Sequence, residues 1–102
     1  MILAAHMGQA QTVNLLIQRG AHLNDQDSVD GAAYFKGDTA LIRAARRDHI
    51  NVVRALFSHP QKPNIHITGN GGVAALWCAV ENEDLEMTSF LYDHGAKVNQ
   101  TN

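Results

Sequence analysis

The chain has 102 residues, of which 45% are apolar and 18% charged, a composition typical of one small globular domain. Its formal net charge of −2 excludes a bulk electrostatic attraction to nucleic acid or to an anionic membrane. Cys78 is the only cysteine, so no intramolecular disulfide can form, and we predict a reducing, intracellular compartment, cytoplasmic or nuclear. No apolar run reaches membrane-spanning length, and the first residues lack the basic start of a signal peptide.

The first 24 residues predict two helices separated by a glycine. Met1 to Met7 is a short apolar stretch that Gly8 ends, and Thr12 to Arg19 is the second helix. Apolar residues at helical spacing mark one face of this second helix: Val13, Leu16 and Ile17. Gly20 follows at the position where a left-handed backbone closes a helix most easily.

The second unit repeats this order with clearer signals. Thr39 is a predicted N-cap, because its hydroxyl can accept a hydrogen bond from a backbone N–H at the helix start. Asp48 takes the place of Gly8, and Pro60 prevents continuation of the second helix. The apolar faces predicted for the two helices are Leu41, Ala44 and Ala45, then Val52, Val53, Leu56 and Phe57.

The third unit has a weaker start. Ala74 stands where the second unit has Thr39, and the missing hydroxyl is expected to weaken this helix start by about 1 kcal/mol. Gly95 closes the unit as Gly20 closes the first. The predicted apolar faces are Leu76, Ala79 and Val80, then Leu85, Met87, Phe90 and Leu91.

Three copies of one pattern account for these units. Ala44 to Phe57 corresponds to Ala4 to Ile17 at an offset of 40 residues and to Ala79 to Tyr92 at an offset of 35. Self-similarity at such periods indicates a repeat protein, in which helix pairs that cannot bury their own apolar faces stack on one another. The connectors 25–38 and 66–73 are rich in Gly, Asn and Asp, which predicts turns rather than strands of a sheet.

The repeated residues resemble those of the ankyrin repeat family. The second unit contains Gly37-Asp38-Thr39-Ala40-Leu41, the first ends with Gly20-Ala21 and Asn24, and the third ends with His94-Gly95-Ala96 and Asn99. The resemblance implies an all-α solenoid of three stacked helix-turn-helix repeats, a single L-shaped domain with projecting finger loops. The repeats are expected at approximately 1–24, 37–66 and 72–99, with a long finger insertion at 25–36.

Several residues depart from the family pattern. Ile42 and Trp77 replace its usual histidine, and Ala40 and Ala75 replace its proline. Asp48 and Glu83 replace the glycine between the two helices. Because Asp tolerates a left-handed turn moderately and Glu poorly, we expect the third turn to be strained or differently shaped.

No residue set predicts catalysis, a metal or a cofactor. The six histidines lack cysteine or carboxylate partners at ligand spacing: His6, His22, His49, His59, His66 and His94. Cys78 lies beside Trp77 on an apolar helix face, so an inert thiol is favoured over a nucleophile. At this helical spacing we expect Trp77 to belong to the core rather than to a functional site. The stretch 69–72, GNGG, lacks the Lys-Ser or Lys-Thr of a phosphate loop and is interpreted as a turn.

Partner-binding residues are predicted at the ends of the first helices and on the fingers. The helix-end residues are His6, Met7, Arg46, Arg47, Glu81 and Asn82; the finger residues are Tyr34, Phe35, Lys36, Asp38, Asn70 and Val73. Arg46 and Arg47 have an alternative role, since cations at a helix C-terminus complement its dipole. Tyr34 and Phe35 are either interface anchors or, for at least one of them, an inward-packed anchor of the long loop.

The resulting functional hypothesis is a non-catalytic module that binds a protein partner through a concave groove and finger loops. The alternative is a targeting or scaffolding fragment of a larger multidomain enzyme or effector whose activity lies elsewhere. An enzymatic or ligand-binding domain has no support in the sequence. The end repeats are expected to expose apolar side chains, so the chain is either a monomer or self-associates through them.

Overall fold

A computed structural model describes residues 1–26, 37–69 and 74–96 of the chain. These residues form six helices and contain no β-strand. The helices are α1 (Ile2–His6), α2 (Ala10–Gln18), α3 (Ala40–Arg46), α4 (Ile50–Phe57), α5 (Ala75–Glu81) and α6 (Leu85–Asp93). The predicted helix pairs are therefore present, and α2 begins two residues earlier than the sequence pattern indicates. The predicted finger residues Tyr34, Phe35, Lys36, Asn70 and Val73 lie outside the described residues.

The helices form two rows. In the first row α3 packs against both α1 and α5, and in the second row α2 packs against α4. Each first-row helix also packs against the second-row helix that follows it in the chain. As a result, six of the seven residues of α3, from Ala40 to Ala45, are buried, whereas α1 buries only Ala4 and Ala5. The apolar core therefore runs along the stack and is densest around the middle helix pair.

The turns inside the helix pairs have left-handed backbones at one equivalent position. The φ angles are 74° at Gly8, 60° at Asp48 and 56° at Glu83. Of the two expectations for the third turn, the structure supports strain and not a different shape, because Glu83 has the same φ region as the glycine without the freedom of glycine. At Gly8 a Cβ would also lie 2.9 Å from the ring of His49, so close packing adds to the need for glycine there.

The helix starts differ as the sequence predicts. Thr39 caps α3 by accepting a hydrogen bond of 3.2 Å from the backbone N–H of Ile42. Ala74 has nearly the same extended backbone but provides no side-chain cap for α5. Asp84 caps α6 by accepting a hydrogen bond of 3.1 Å from the N–H of Met87.

The bases of the finger loops are tied together by one side chain. Nε2 of Gln26 donates hydrogen bonds to the carbonyl oxygens of Gly37 at 2.7 Å and Thr68 at 3.1 Å. Gly69 lies directly on Asp38, since a Cβ at Gly69 would be 2.2 Å from an Asp38 carboxylate oxygen. These contacts fix both ends of the connector 25–38 and the first part of the connector 66–73 against the entrance to α3.

The prediction that two residues belong to the core is wrong. Val80 and Leu85 were expected on the apolar faces of α5 and α6, but their side chains are 54% and 81% exposed. The equivalent residues one repeat earlier, Ala45 and Ile50, are buried and partly buried. The periodicity identifies the face that a neighbouring repeat covers, and the described residues place no neighbour over this face of α5 and α6.

Candidate partner-binding face

The candidate site is built around a buried carboxylate. Asp38 is fully buried, and its Oδ2 accepts a hydrogen bond of 2.7 Å from Nε of Arg46. Its Oδ1 accepts a second bond of 3.1 Å from Nη2 of the same guanidinium, and Nε of Arg43 donates to Oδ2 at 3.3 Å. Such a bidentate pair fixes the guanidinium plane. Arg46 is therefore held in one orientation before any partner arrives.

Arg46 borders a small recess between the second and third repeats. The recess has a volume of about 110 Å³ and is lined by Arg46, Cys78, Glu81 and Asn82. Burial raises the pKa of the Cys78 thiol to about 11, so the thiol stays protonated near neutral pH and is a poor nucleophile. The polar groups of the recess are therefore the charged and amide groups, and the sulfur adds apolar surface.

The amide of Asn82 joins the two repeats at this point. Its Nδ2 donates a hydrogen bond of 2.8 Å to the carbonyl oxygen of Ala45, at the C-terminal end of α3. Glu81 and Arg47 remain exposed on either side of this bond. The face thus presents an exposed cation and an exposed anion on neighbouring helices that this hydrogen bond holds together.

The first repeat contributes an apolar and a neutral group. Met7 is exposed at the end of α1. Burial lowers the pKa of His6, and the nearby charges of Arg47 and Arg43 lower it further. The imidazole of His6 is therefore mainly neutral near pH 7, and among the described helix-end residues of this face the positive charge comes from arginine.

The predicted residues occupy different environments. The same recess is lined by Arg46, Glu81 and Asn82. His6 lies close enough to Arg47 for the charge of Arg47 to lower the pKa of His6. Asp38 is buried, which leaves it no surface for direct contact; it acts on this face through Arg46. Whether these residues bind a partner stays a prediction.

Two residues of the site were missed by sequence reasoning. Arg43 shares the Asp38 carboxylate, and Cys78 lines the recess. A usable signal exists, because position 43 plus the repeat offset of 35 is position 78, and both precede an assigned helix-end residue by three positions. Comparing equivalent positions across the repeats would have assigned both to the same face.

The described residues also bear on metal binding and on membrane insertion. Residues 1–26, 37–69 and 74–96 contain no group of three or more His, Cys, Asp or Glu side chains arranged to hold a metal ion. Within the same ranges, no helix has the length and hydrophobicity needed to cross a membrane. The fold and this face together define a helical repeat solenoid with a preformed polar surface.

Comparison with known families identifies this solenoid. A family model of ankyrin repeats, in three copies, matches residues 1–102, and the chain therefore belongs to the ankyrin repeat family. Ankyrin repeats are generally protein–protein interaction modules, and domains built from them are typically non-catalytic.

Proposed function

We propose that the chain binds a protein partner through the face formed by the ends of α1, α3 and α5 together with the finger loops, without catalysing a reaction. The observation that carries this proposal is the Arg46 guanidinium, which the buried carboxylate of Asp38 holds in a fixed plane. A side chain held in place before binding loses little conformational entropy when a partner arrives.

The charges of this face favour a partner of mixed polarity. Arg47 and Glu81 are exposed at equivalent regions of neighbouring repeats, and Met7 adds an apolar contact at one end. A polyanion would meet Glu81 unfavourably, whereas a folded protein or a peptide with an acidic and a basic group can match both charges. Phe35 and Tyr34 on the long finger are the proposed apolar anchors of the same interface. The proposed compartment is intracellular, on the basis of the single, reduced cysteine.

The test uses Arg47→Glu, because Arg47 is exposed and its replacement leaves the Asp38 cluster intact. Replacing Arg46 is unsuitable, since breaking a buried ion pair costs about 3–5 kcal/mol and would confuse folding with binding. The immobilised chain is exposed to a cell lysate, and each captured protein is quantified by mass spectrometry. We expect Arg47→Glu to reduce recovery of the specific partner by about tenfold or more.

The matched control is Arg19→Glu, which makes the same charge change at an exposed residue after α2, away from the first-row helix ends. Recovery should be unchanged in this control. Phe35→Ala tests the finger in the same assay and should also reduce recovery. A partner captured equally by the native chain, Arg47→Glu and Phe35→Ala would overturn the assignment of this face.

A further inference from the structure

Three exposed apolar side chains share one end of the stack. Val80, Leu85 and Tyr92 occupy the positions that Ala45, Ile50 and Phe57 occupy one repeat earlier. Phe57 is 7% exposed and Tyr92 is 57% exposed. In the second repeat Phe57 lies against Phe90 of the third repeat, and the carbonyl oxygen of Ala45 accepts a hydrogen bond from Asn82 of the third repeat. The end of the stack formed by α5 and α6, here called the C-face, therefore has the shape and chemistry of a repeat–repeat contact without an occupant among the described residues.

The contact between the second and third repeats shows what such a face accepts. The rings of Phe57 and Phe90 meet edge to face with centroids 5.5 Å apart. Phe90 thus marks the surface that a repeat presents to the repeat before it. The equivalent residue of the first repeat is Leu15, which is 48% exposed. The first repeat therefore carries an exposed apolar residue at the position equivalent to Phe90, which packs on Phe57.

Polar contacts between the first and second repeats follow the same geometry. Nε2 of His49 lies 3.0 Å from the carbonyl oxygen of His6, and Nδ2 of Asn51 donates to the carbonyl oxygen of Gly8 at 3.3 Å. The equivalents of His49 and Asn51 in the first repeat are Gln9 and Gln11, both exposed. Their amides can donate to the equivalent carbonyl oxygens at the end of the stack, those of Glu81 and Glu83. We call the surface formed by Gln9, Gln11 and Leu15 the N-face.

The repeats that carry the two faces also differ in charge. Residues 1–24 contain Arg19 and no acidic residue, whereas residues 74–96 contain five acidic residues and no Lys or Arg. Two third repeats brought together would repel each other, and a third repeat meeting a first repeat would not.

We propose that the C-face binds the N-face of a second copy of this chain, head to tail, with Tyr92 packed on Leu15 of the next copy. The contact continues the stacking already present between neighbouring repeats. Because the two faces are different, an assembly of any length keeps one free N-face and one free C-face at its two ends. Stacking in this geometry therefore forms an open chain of copies rather than a closed oligomer.

Sedimentation velocity over a range of concentrations tests the proposal. The monomer mass is 11.1 kDa. We expect the average mass of the native chain to rise past that of a dimer without a plateau. Leu15→Glu blocks the N-face and Tyr92→Glu blocks the C-face, and each variant alone should associate about tenfold or more weakly. Mixed together, the two variants retain one intact face each and should stop at a one-to-one dimer.

Matched variants keep the test decisive. Leu85→Glu is a second C-face variant at the most exposed apolar residue of that face, and Gln61→Glu adds the same charge on an exposed connector away from both faces. Circular dichroism verifies that each variant is folded. A native chain that stays monomeric at every concentration overturns the proposal and leaves the faces to other proteins. Full association of Leu15→Glu alone also overturns it, in favour of paired C-faces, and so does a mixture that stays monomeric.

Discussion

Glu83 has the least favourable backbone among the residues that join two helices of a pair. Its φ of 56° lies in the left-handed region, where a side chain with a Cβ costs roughly 1 kcal/mol. Gly8 meets the same requirement without this cost, and Asp48 meets it with a short polar side chain that tolerates the conformation better. The three repeats thus adopt one turn geometry with three different residues.

We expect Glu83→Gly to stabilise the chain by about 0.5–1 kcal/mol, because the gain from relieving the left-handed strain exceeds the greater freedom of glycine in the unfolded chain. Urea unfolding followed by circular dichroism measures the change. The matched control is Glu83→Gln, which removes the charge beside Asp84 but keeps the strained backbone, and it should recover little of the gain. Equal stabilisation by both variants would assign the effect to charge instead.

At the level of single residues, the sequence predicts what depends on local geometry. The Thr39 cap and the unfavourable turn at Glu83 follow from the residue type and its place relative to the helices. The carboxylate of Asp38 was predicted only as a finger residue. Its burial against Arg43 and Arg46 depends on the finger base folding back over α3, which residue spacing does not encode.

At the level of helices, α3 and α5 are the closest comparison within the molecule. Both have seven residues, and both are preceded by a buried residue with an extended backbone, Thr39 and Ala74. Only Thr39 provides a side-chain acceptor for the helix N-terminus. The first N–H groups of α5 therefore lack the side-chain cap that those of α3 have.

Ala74→Ser should stabilise the chain by about 1 kcal/mol, because the added hydroxyl can accept a hydrogen bond from the start of α5. Thr39→Ala is the mirror-image variant and should destabilise the chain by about the same amount. Both changes are measured by chemical unfolding at neutral pH. If Ala74→Ser lowers the stability, the buried site has no space for one more oxygen and the comparison with Thr39 does not hold.

The helices themselves were predictable because each carries its own apolar periodicity, and helix pairs of this length recur three times. The exposure of Val80 and Leu85 could not be predicted in this way, because burial of a repeat face depends on the neighbouring repeat and not on the helix that carries the face. Periodicity predicts which face can be buried; stacking determines which face is.

At the level of the whole molecule, carboxyl groups link neighbouring repeats in a pH-dependent way. The hydrogen bond between Asp48 and Asp84 is the main cause that raises the pKa of Asp48, and burial raises it further. The same hydrogen bond, together with the one from the N–H of Met87, lowers the pKa of Asp84. When the pair holds a single proton, the proton therefore resides on Asp48. Its stabilising contribution is present below the ordinary carboxyl pKa and is lost as the pH rises through the raised pKa of Asp48.

Asp48→Asn should therefore be more stable than the native chain at neutral pH, because the amide N–H can donate to Asp84 at every pH. The gain should be within about 0.5 kcal/mol, since both groups are largely solvated. It should shrink well below the ordinary Asp pKa of about 3.9, where the native carboxyl is also protonated. Urea unfolding across this pH range measures it. Asp93→Asn is the control that removes an acidic charge elsewhere in the third repeat, and a matching pH dependence in both variants would contradict the assigned pair.

The burial of six of the seven residues of α3 between α1 and α5 also bears on the order in which the chain assembles. The middle helix pair is the only one of the three described pairs with a neighbour on either side, so it gains most from early contact. Contacts in a stack join adjacent repeats, which keeps the loops that must close short and favours nucleation at the middle repeat. The outer repeats then add as separate cooperative units and open first, so the surface formed by all three is lost well before the centre melts.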